Sequence, residues 1–267
     1  MHIDHWTLLI RRVRMLGNLF QPREQHKRER CMPQLVFLHG PGAGACADAF
    51  HYQVRHFPNS VAPTLPGHLE GSRCADVTRY LEWVRGWLWA QDLKGDLVLI
   101  GYTLGASIAL QYGLDYPDEV KGLVLMTVAA RPKTRAAGAY EMRLRAAEDP
   151  KVYEEWLAYQ RHSMKFVEPG LREQLIERHR QVGPLSQYHD LKTIDAFDVR
   201  DRLATLKPRL LLLRGVDDPG HPPEYEKEMH EAVPGSRYVK LSGAGHFPPT
   251  EIPDKVNALI EEFVATL

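Results

Sequence analysis

The sequence predicts an α/β domain: a mostly parallel central sheet flanked by helices, with a helical lid inserted between two of its strands. Three observations carry that expectation. Short apolar runs without polar alternation recur along the chain, as strands buried on both faces require. Stretches long enough for crossover helices separate them. Residues 131–190 interrupt this rhythm and read as helix alone. The chain has 267 residues, 44% of them hydrophobic, which is enough to bury a sizeable core.

Taken in order, residues 8–10 and 15–19 read as a hairpin, and the polar run 21–30 as a solvated turn in which Glu24 and Glu29 interrupt the basic residues. The run 35–38 leads into His39-Gly40. Residues 76–91 supply a crossover helix, with Trp83, Trp87 and Leu88 at helical spacing. The run 97–100 ends at Gly101, residues 107–114 form a helix closed before Pro117, and 123–126 is the next strand. Three helices are expected at 136–147, 152–163 and 171–181, with breaks at Pro150, Pro169-Gly170 and Pro184. Strands resume at 210–213 and 237–241. Residues 1–130 and 191–267 are therefore assigned to the core, and 131–190 to the lid. Such an insertion would sit over the carboxyl ends of the strands, where open α/β sheets bind ligands. Trp156, Tyr159, Met164 and Phe166 are the candidates for its underside.

Composition excludes several classes of function. Lys plus Arg and Asp plus Glu each total 34, so the charge is zero and no excess of positive charge points to nucleic acid. Cys31, Cys46 and Cys74 are odd in number and make no disulfide framework. No segment approaches the roughly 20 apolar residues of a membrane span. Arg11, Arg12 and Arg14 follow the first apolar stretch, the reverse of a signal peptide, so a cytoplasmic location is expected. Thirteen histidines raise the question of a metal, but they show no H-x-H or H-E-x-x-H spacing, and a solvated or structurally bonded side chain is expected for the remote ones, among them His68, His179 and His221. Gly40 to Gly44 lack the Lys-Ser or Lys-Thr of a phosphate loop. No cofactor is expected, and oligomeric state is not encoded in any visible pattern.

One constellation carries chemistry. Gly101-Tyr102-Thr103-Leu104-Gly105 lies between a strand and a small-residue helix. Glycines on either side permit a sharp turn that lifts the central side chain above the sheet, while the following N–H points to where an oxyanion would develop. Asp218 follows the strand 210–213 by way of Gly215, with Asp217 as the competing acid, and His246 sits in the Gly-rich loop after 237–241. Nucleophile, acid, histidine is the chain order of a triad on this kind of sheet.

With these phrases, together with His39-Gly40-Pro41-Gly42 and Ala62-Pro63-Thr64-Leu65-Pro66-Gly67-His68, the chain resembles the α/β-hydrolase superfamily over nearly its whole length, and within it the lidded esterase- and lactonase-like members. The resemblance implies Thr103 as nucleophile, His246 as base and Asp218 as acid. It implies oxyanion donors at the N–H of Leu104 and of the residue after His39-Gly40. The expected activity is hydrolysis of a small carboxylic ester or related acyl substrate. The alternatives are a weak or inactive hydrolase fold that binds a small hydrophobic ligand, and a non-covalent lyase or hydratase, or an acyltransferase, using the same pocket. Pro41, Tyr102 and Phe247 join the lid residues as candidate pocket walls.

Two departures from the pattern bear on mechanism. Thr103 carries a methyl on the nucleophilic carbon where serine is usual, which restricts its rotamer at a crowded turn. Pro41 has no N–H to give, so Gly42 or Ala43 must supply the second donor, with Gly42 preferred for its conformational freedom. Loss of one such donor costs about 3 kcal/mol in transition-state stabilisation.

Overall fold

A computed structural model of the chain describes residues 32–267, so the hairpin and turn expected before residue 31 lie outside the described residues. Five strands, β1 (Gln34–Leu38), β2 (Leu97–Tyr102), β3 (Val120–Met126), β4 (Arg209–Gly215) and β5 (Arg237–Leu241), form one parallel sheet whose spatial order follows chain order. Val36 also bridges to Val61 beyond β1. Side chains alternate between faces, yet nearly every position is apolar because both faces are covered. Phe37, Ile100, Val124 and Leu213 face one core, and Leu38, Leu99, Leu125 and Leu212 the other.

Short helix α1 (His51–His56) precedes the crossover helices α2 (Val77–Ala90) and α3 (Leu104–Asp115), which pack on the second of these cores. Asp76 starts α2 by accepting the Arg79 N–H at 2.8 Å. Between β3 and β4 the chain forms α4 (Ala139–Glu148), α5 (Pro150–Ser163), α6 (Pro169–Val182) and α7 (Pro184–Asp195). The three prolines read from the sequence as breaks each occupy a first helical position, where the missing N–H is not needed. Pro184 thereby opens a fourth helix where three were expected. Its inward face carries Gln187 and Asp190 among Leu191 and Ile194, and that mixture hides the helical period. After β4 come α8 (Glu224–Ala232), α9 (Pro248–Glu251) and α10 (Pro253–Val264), the last burying Val256, Ile260 and Phe263.

The insertion is fastened to the core mainly through α6 and α7. His179 Nε2 accepts the Gly44 N–H at 3.1 Å, and Arg178 pairs with Asp48 at 2.6 Å. Ser186 donates to the Gly67 carbonyl at 2.9 Å, and Asp190 pairs with His68 at 2.8 Å, both side chains nearly inaccessible. Burial disfavours the charge on His68, but Asp190 outweighs it and raises the imidazole pKa. His179 is held neutral instead, its pKa pulled down to about 3 by burial and by the charge of Arg143. Among the described residues no helix is long and apolar enough to cross a membrane.

Candidate active site

The strand-to-helix turn at Thr103 is built by what its glycines allow. A β-carbon on Gly105 would lie 1.9 Å from the Leu38 carbonyl oxygen, and one on Gly101 would lie 2.5 Å from the Gly105 carbonyl carbon. Only bare backbone lets α3 start this close to β1 and β2. Thr103 itself adopts φ 49° and ψ −113°, an outlying conformation for a β-branched residue. Its N–H donates to the Met126 carbonyl at 3.1 Å, and its carbonyl accepts from Ser107 N at 3.0 Å. Oγ1 is buried and has no hydrogen-bond partner among the described residues. The hydroxyl lies against Gly40, where a β-carbon would come within 1.7 Å of it. The side chain therefore makes no hydrogen bond to His246, contrary to what a primed nucleophile would show.

The acid and the base do meet. His246 Nδ1 and Asp218 Oδ2 are 2.6 Å apart, and Asp218 Oδ1 accepts the Gly220 N–H at 2.8 Å. Burial alone would raise the Asp218 pKa, but the hydrogen bond and charge of His246 hold it below the ordinary carboxylate range. With Nδ1–H directed to Asp218, Nε2 is left as an acceptor. Asp217 does other work: its carboxylate accepts the Gly243 N–H at 3.1 Å and its own N–H donates to the Ala244 carbonyl at 3.0 Å, pinning the histidine loop. Gly215 lets that loop approach, since a β-carbon there would sit 2.0 Å from the Gly245 oxygen.

A cavity of about 360 Å³ lies between the insertion and the strand ends. Of the residues expected in its wall, Pro41, Gly42, Tyr159, Phe166 and Phe247 line it together with Asp218 and His246. Thr103, Leu104, Tyr102, Trp156 and Met164 do not. Tyr102 is buried beneath the 41–42 loop and donates its hydroxyl to the Gly42 carbonyl at 2.8 Å. Trp156 and Met164 are wholly covered and act as packing within the insertion, as aromatic and thioether side chains at helical spacing commonly do. Phe247 presses on Gly42, where a β-carbon would meet its ring at 2.3 Å. Cys46 is buried in the loop before α1, and neither it nor Cys74 borders the cavity.

Four groups here were not anticipated. Gln187 donates to the Pro41 carbonyl at 3.0 Å while accepting from Trp156 Nε1 at 2.9 Å and from Gln160 at 3.1 Å. Glu251 accepts the N–H groups of Gly245 at 2.6 Å and Phe247 at 3.3 Å, bracketing His246. Burial raises the Glu251 pKa to about 7 despite those donors, and Asp218 and Asp217 push the same way. Lys133 and Arg143 reach the cavity from the segment before α4 and from α4 itself. The sequence did hold a signal for Arg143, which occupies a position one turn from Ala139 and Ala146 on the inward side of α4. Nothing in the sequence marked the other three. Among the described residues no group of His, Cys, Asp or Glu side chains could hold a metal ion.

Comparison with known proteins places this geometry in a family. Residues 35–259 match the model of the alpha/beta hydrolase family. The chain is 28% identical to a pimeloyl-[acyl-carrier protein] methyl ester esterase of Aeromonas hydrophila, over 87% of this chain and 95% of that protein. It is 26% identical to a proline iminopeptidase of Lactobacillus delbrueckii, over 62% of this chain and 64% of that one. In structure it is similar to an enol-lactonase from Burkholderia xenovorans, with TM-score 0.76, 18% identity, and coverage of 90% of this chain and 94% of the other. A thermophilic esterase from Thermogutta terrifontis gives TM-score 0.72 and 24% identity, covering 88% and 90%. With the family model matching most of its length and the parallel sheet, elbow and His–Asp pair in place, the chain belongs to the alpha/beta hydrolase family and is a hydrolytic enzyme of that kind.

Proposed function

We propose that the protein hydrolyses a small carboxylic ester or lactone through Thr103, His246 and Asp218. The observation that carries this reading is the 2.6 Å Asp218–His246 pair at the wall of a cavity bounded by the 41–42 loop, under which the Thr103 elbow lies. As Oγ1 attacks the acyl carbon, Nε2 of His246 takes its proton and then returns it to the departing alkoxide. Water, deprotonated by the same nitrogen, attacks the acyl-enzyme and releases the acid. Asp218 remains ionised and holds the imidazole in the required tautomer.

Two backbone donors suit the oxyanion. Leu104 N–H opens α3, and among the described residues no carbonyl accepts from it. The Gly42 N–H is the second. The Pro41 carbonyl points to Gln187, and the planar trans peptide sends the Gly42 N–H the opposite way, away from the insertion. Likeness to proteins named as a methyl ester esterase and an enol-lactonase supports an acyl–oxygen substrate.

The unpartnered Oγ1 favours a second reading, in which the His246–Asp218 pair activates water directly and no acyl-enzyme forms. Rapid mixing with p-nitrophenyl acetate separates the two. The covalent route gives a burst of one nitrophenolate per protein and an acetyl group on the Thr103 peptide by mass spectrometry. Steady turnover with neither burst nor adduct, retained in Thr103→Ala, rejects it in favour of direct hydrolysis by water activated at His246.

A further inference from the structure

Arg143 is buried, and its Nε has neither solvent nor a hydrogen-bond partner among the described residues. Its Nη1 donates to the Ala139 carbonyl within α4, which accounts for one of five N–H groups. Lys133 is half-buried on the same cavity. Its ammonium donates to the Thr127 carbonyl at 3.2 Å and to His221 Nδ1 at 3.1 Å, leaving one of three protons unused. Among the described residues no carboxylate lies within 4.0 Å of either cation. The other arginine between them in sequence, Arg135, is already neutralised by Asp195 at 2.8 Å. A buried charge without a counter-ion is costly, and folded proteins seldom keep one unless a ligand completes it. Arg143 is such a cation, and Lys133 on the same cavity of about 360 Å³ is driven toward the neutral amine, its pKa pulled down to about 7 by burial and by the charge of Arg135, so that an anion bound between the two would restore its charge.

We propose that Arg143 and Lys133 form an anion subsite, and that the substrate is an ester or lactone bearing a free carboxylate, such as the half-ester of a short dicarboxylic acid. This rests on the hydrolytic reading above and supplies its substrate class. The planar guanidinium fits a carboxylate through paired N–H donors, while the ammonium adds a point charge. The acidic groups near this subsite are committed elsewhere: Asp218 to His246 and Gly220, Asp195 to Arg135 and Tyr140, Asp217 to the Gly243 N–H, and Glu226 to Arg214 and His221, the latter standing between Glu226 and Lys133. The Lys133 ammonium is also tied to the histidine, because the Thr127 hydroxyl donates to the His246 carbonyl at 3.1 Å while the Thr127 carbonyl accepts from Lys133. A carboxylate held there would fix the acyl chain relative to the base, which is how remote binding becomes positioning.

The test compares p-nitrophenyl butyrate with mono-p-nitrophenyl glutarate, and in parallel follows the melting temperature with glutarate or glutaramide added. The expected result is a kcat/KM at least tenfold higher for the anionic ester. In Arg143→Gln and Lys133→Met that preference falls at least tenfold, and Arg143→Lys recovers part of it. Glutarate, and not glutaramide, raises the melting temperature of the unaltered protein, and the two variants lose most of that rise. Equal use of both esters together with no glutarate shift overturns the subsite and leaves hydrolysis standing. A glutarate shift lost in the variants, with no hydrolysis of either ester, upholds the subsite and removes the hydrolytic reading. A larger shift with inorganic phosphate than with glutarate at equal concentration overturns the carboxylate assignment. Circular dichroism on each variant checks the fold, and the Lys133 variant carries the test should Arg143→Gln unfold.

Discussion

Replacing Thr103 by serine should speed acylation by ten- to a hundredfold. Threonine fills two of the three staggered positions about χ1, whereas serine fills one. The hydroxyl now occupies the slot beneath Gly40, a space so close that a β-carbon on that glycine would lie 1.7 Å from Oγ1 and 2.8 Å from the Tyr102 carbonyl oxygen. Turning Oγ1 towards His246 relocates the methyl among these walls. An off-rotamer side chain costs about 0.5–1.5 kcal/mol, and one extra methyl in a packed site costs about 1 kcal/mol or more. Together these give about 1.5–2.5 kcal/mol, and with each 1.36 kcal/mol a factor of ten in rate this is roughly 13- to 70-fold. Serine escapes that cost because its single γ-atom can leave the slot with nothing taking its place. The assay is the burst rate with p-nitrophenyl acetate in a stopped-flow instrument, with Thr103→Ala as the control that gives no burst. A serine variant that acylates no faster refutes the crowding argument. A burst retained in the alanine variant removes residue 103 from the chemistry altogether.

Two further outcomes follow from buried polar groups. Glu226 is fully buried beside Arg214, His221, Lys133 and Asp218, and burial raises its pKa to about 8, with Arg214 opposing. An acid whose folded pKa exceeds its unfolded value near 4.5 binds more protons folded, so its contribution to stability is lost as pH rises from about 4.5 through about 8. The melting temperature of Glu226→Gln relative to the unaltered protein should thus increase between pH 6 and pH 9, and a decrease would mean that Glu226 works as the ionised partner of Arg214. Gln187→Leu keeps the volume but strips partners from Trp156 Nε1, Gln160 and the Pro41 carbonyl. Leaving them unpaired costs at least about 2 kcal/mol, or roughly 4–8 °C in melting temperature by scanning calorimetry; no change would show that this network does not secure the loop.

What could be read beforehand was whatever local chemistry dictates. The run at β2 must be doubly buried because it offers no polar face, and Gly101 and Gly105 announce a turn that only glycine can make. Asp217 and Asp218 are adjacent and chemically alike in the sequence, and the structure separates them by putting Asp218 on the imidazole and Asp217 on the loop backbone. The wall of the cavity was harder. Trp156 and Met164 look like ligand contacts in sequence because large apolar side chains in a helical insertion serve packing and binding alike, and Tyr102 because it stands next to Thr103 at the end of β2. Helix α7 was hidden for the reverse reason, since its inward positions include Gln187 and Asp190, whose partners lie far away in sequence at residues 41 and 68. Polar groups satisfied by remote backbone carry no period of their own.

The attachment of the insertion through α6 and α7 divides it into a fixed half and an adjustable one. Helices α6 and α7 hold the 41–48 and 67–68 loops through Gln187, His179, Arg178, Ser186 and Asp190, so a substitution there is transmitted to the backbone that would receive the oxyanion. Helices α4 and α5 instead present Arg143 and Tyr159 to the cavity; α4 packs against α5 and α7, and α5 packs against α6 and hydrogen-bonds Gln187. A lineage descended from this chain could therefore change which acyl groups it accepts by drifting in α4 and on the cavity face of α5, while Trp156 and Gln160 stay on Gln187 and the donor loop is held from the opposite flank. Diversity of diet and constancy of chemistry would be inherited on separate helices.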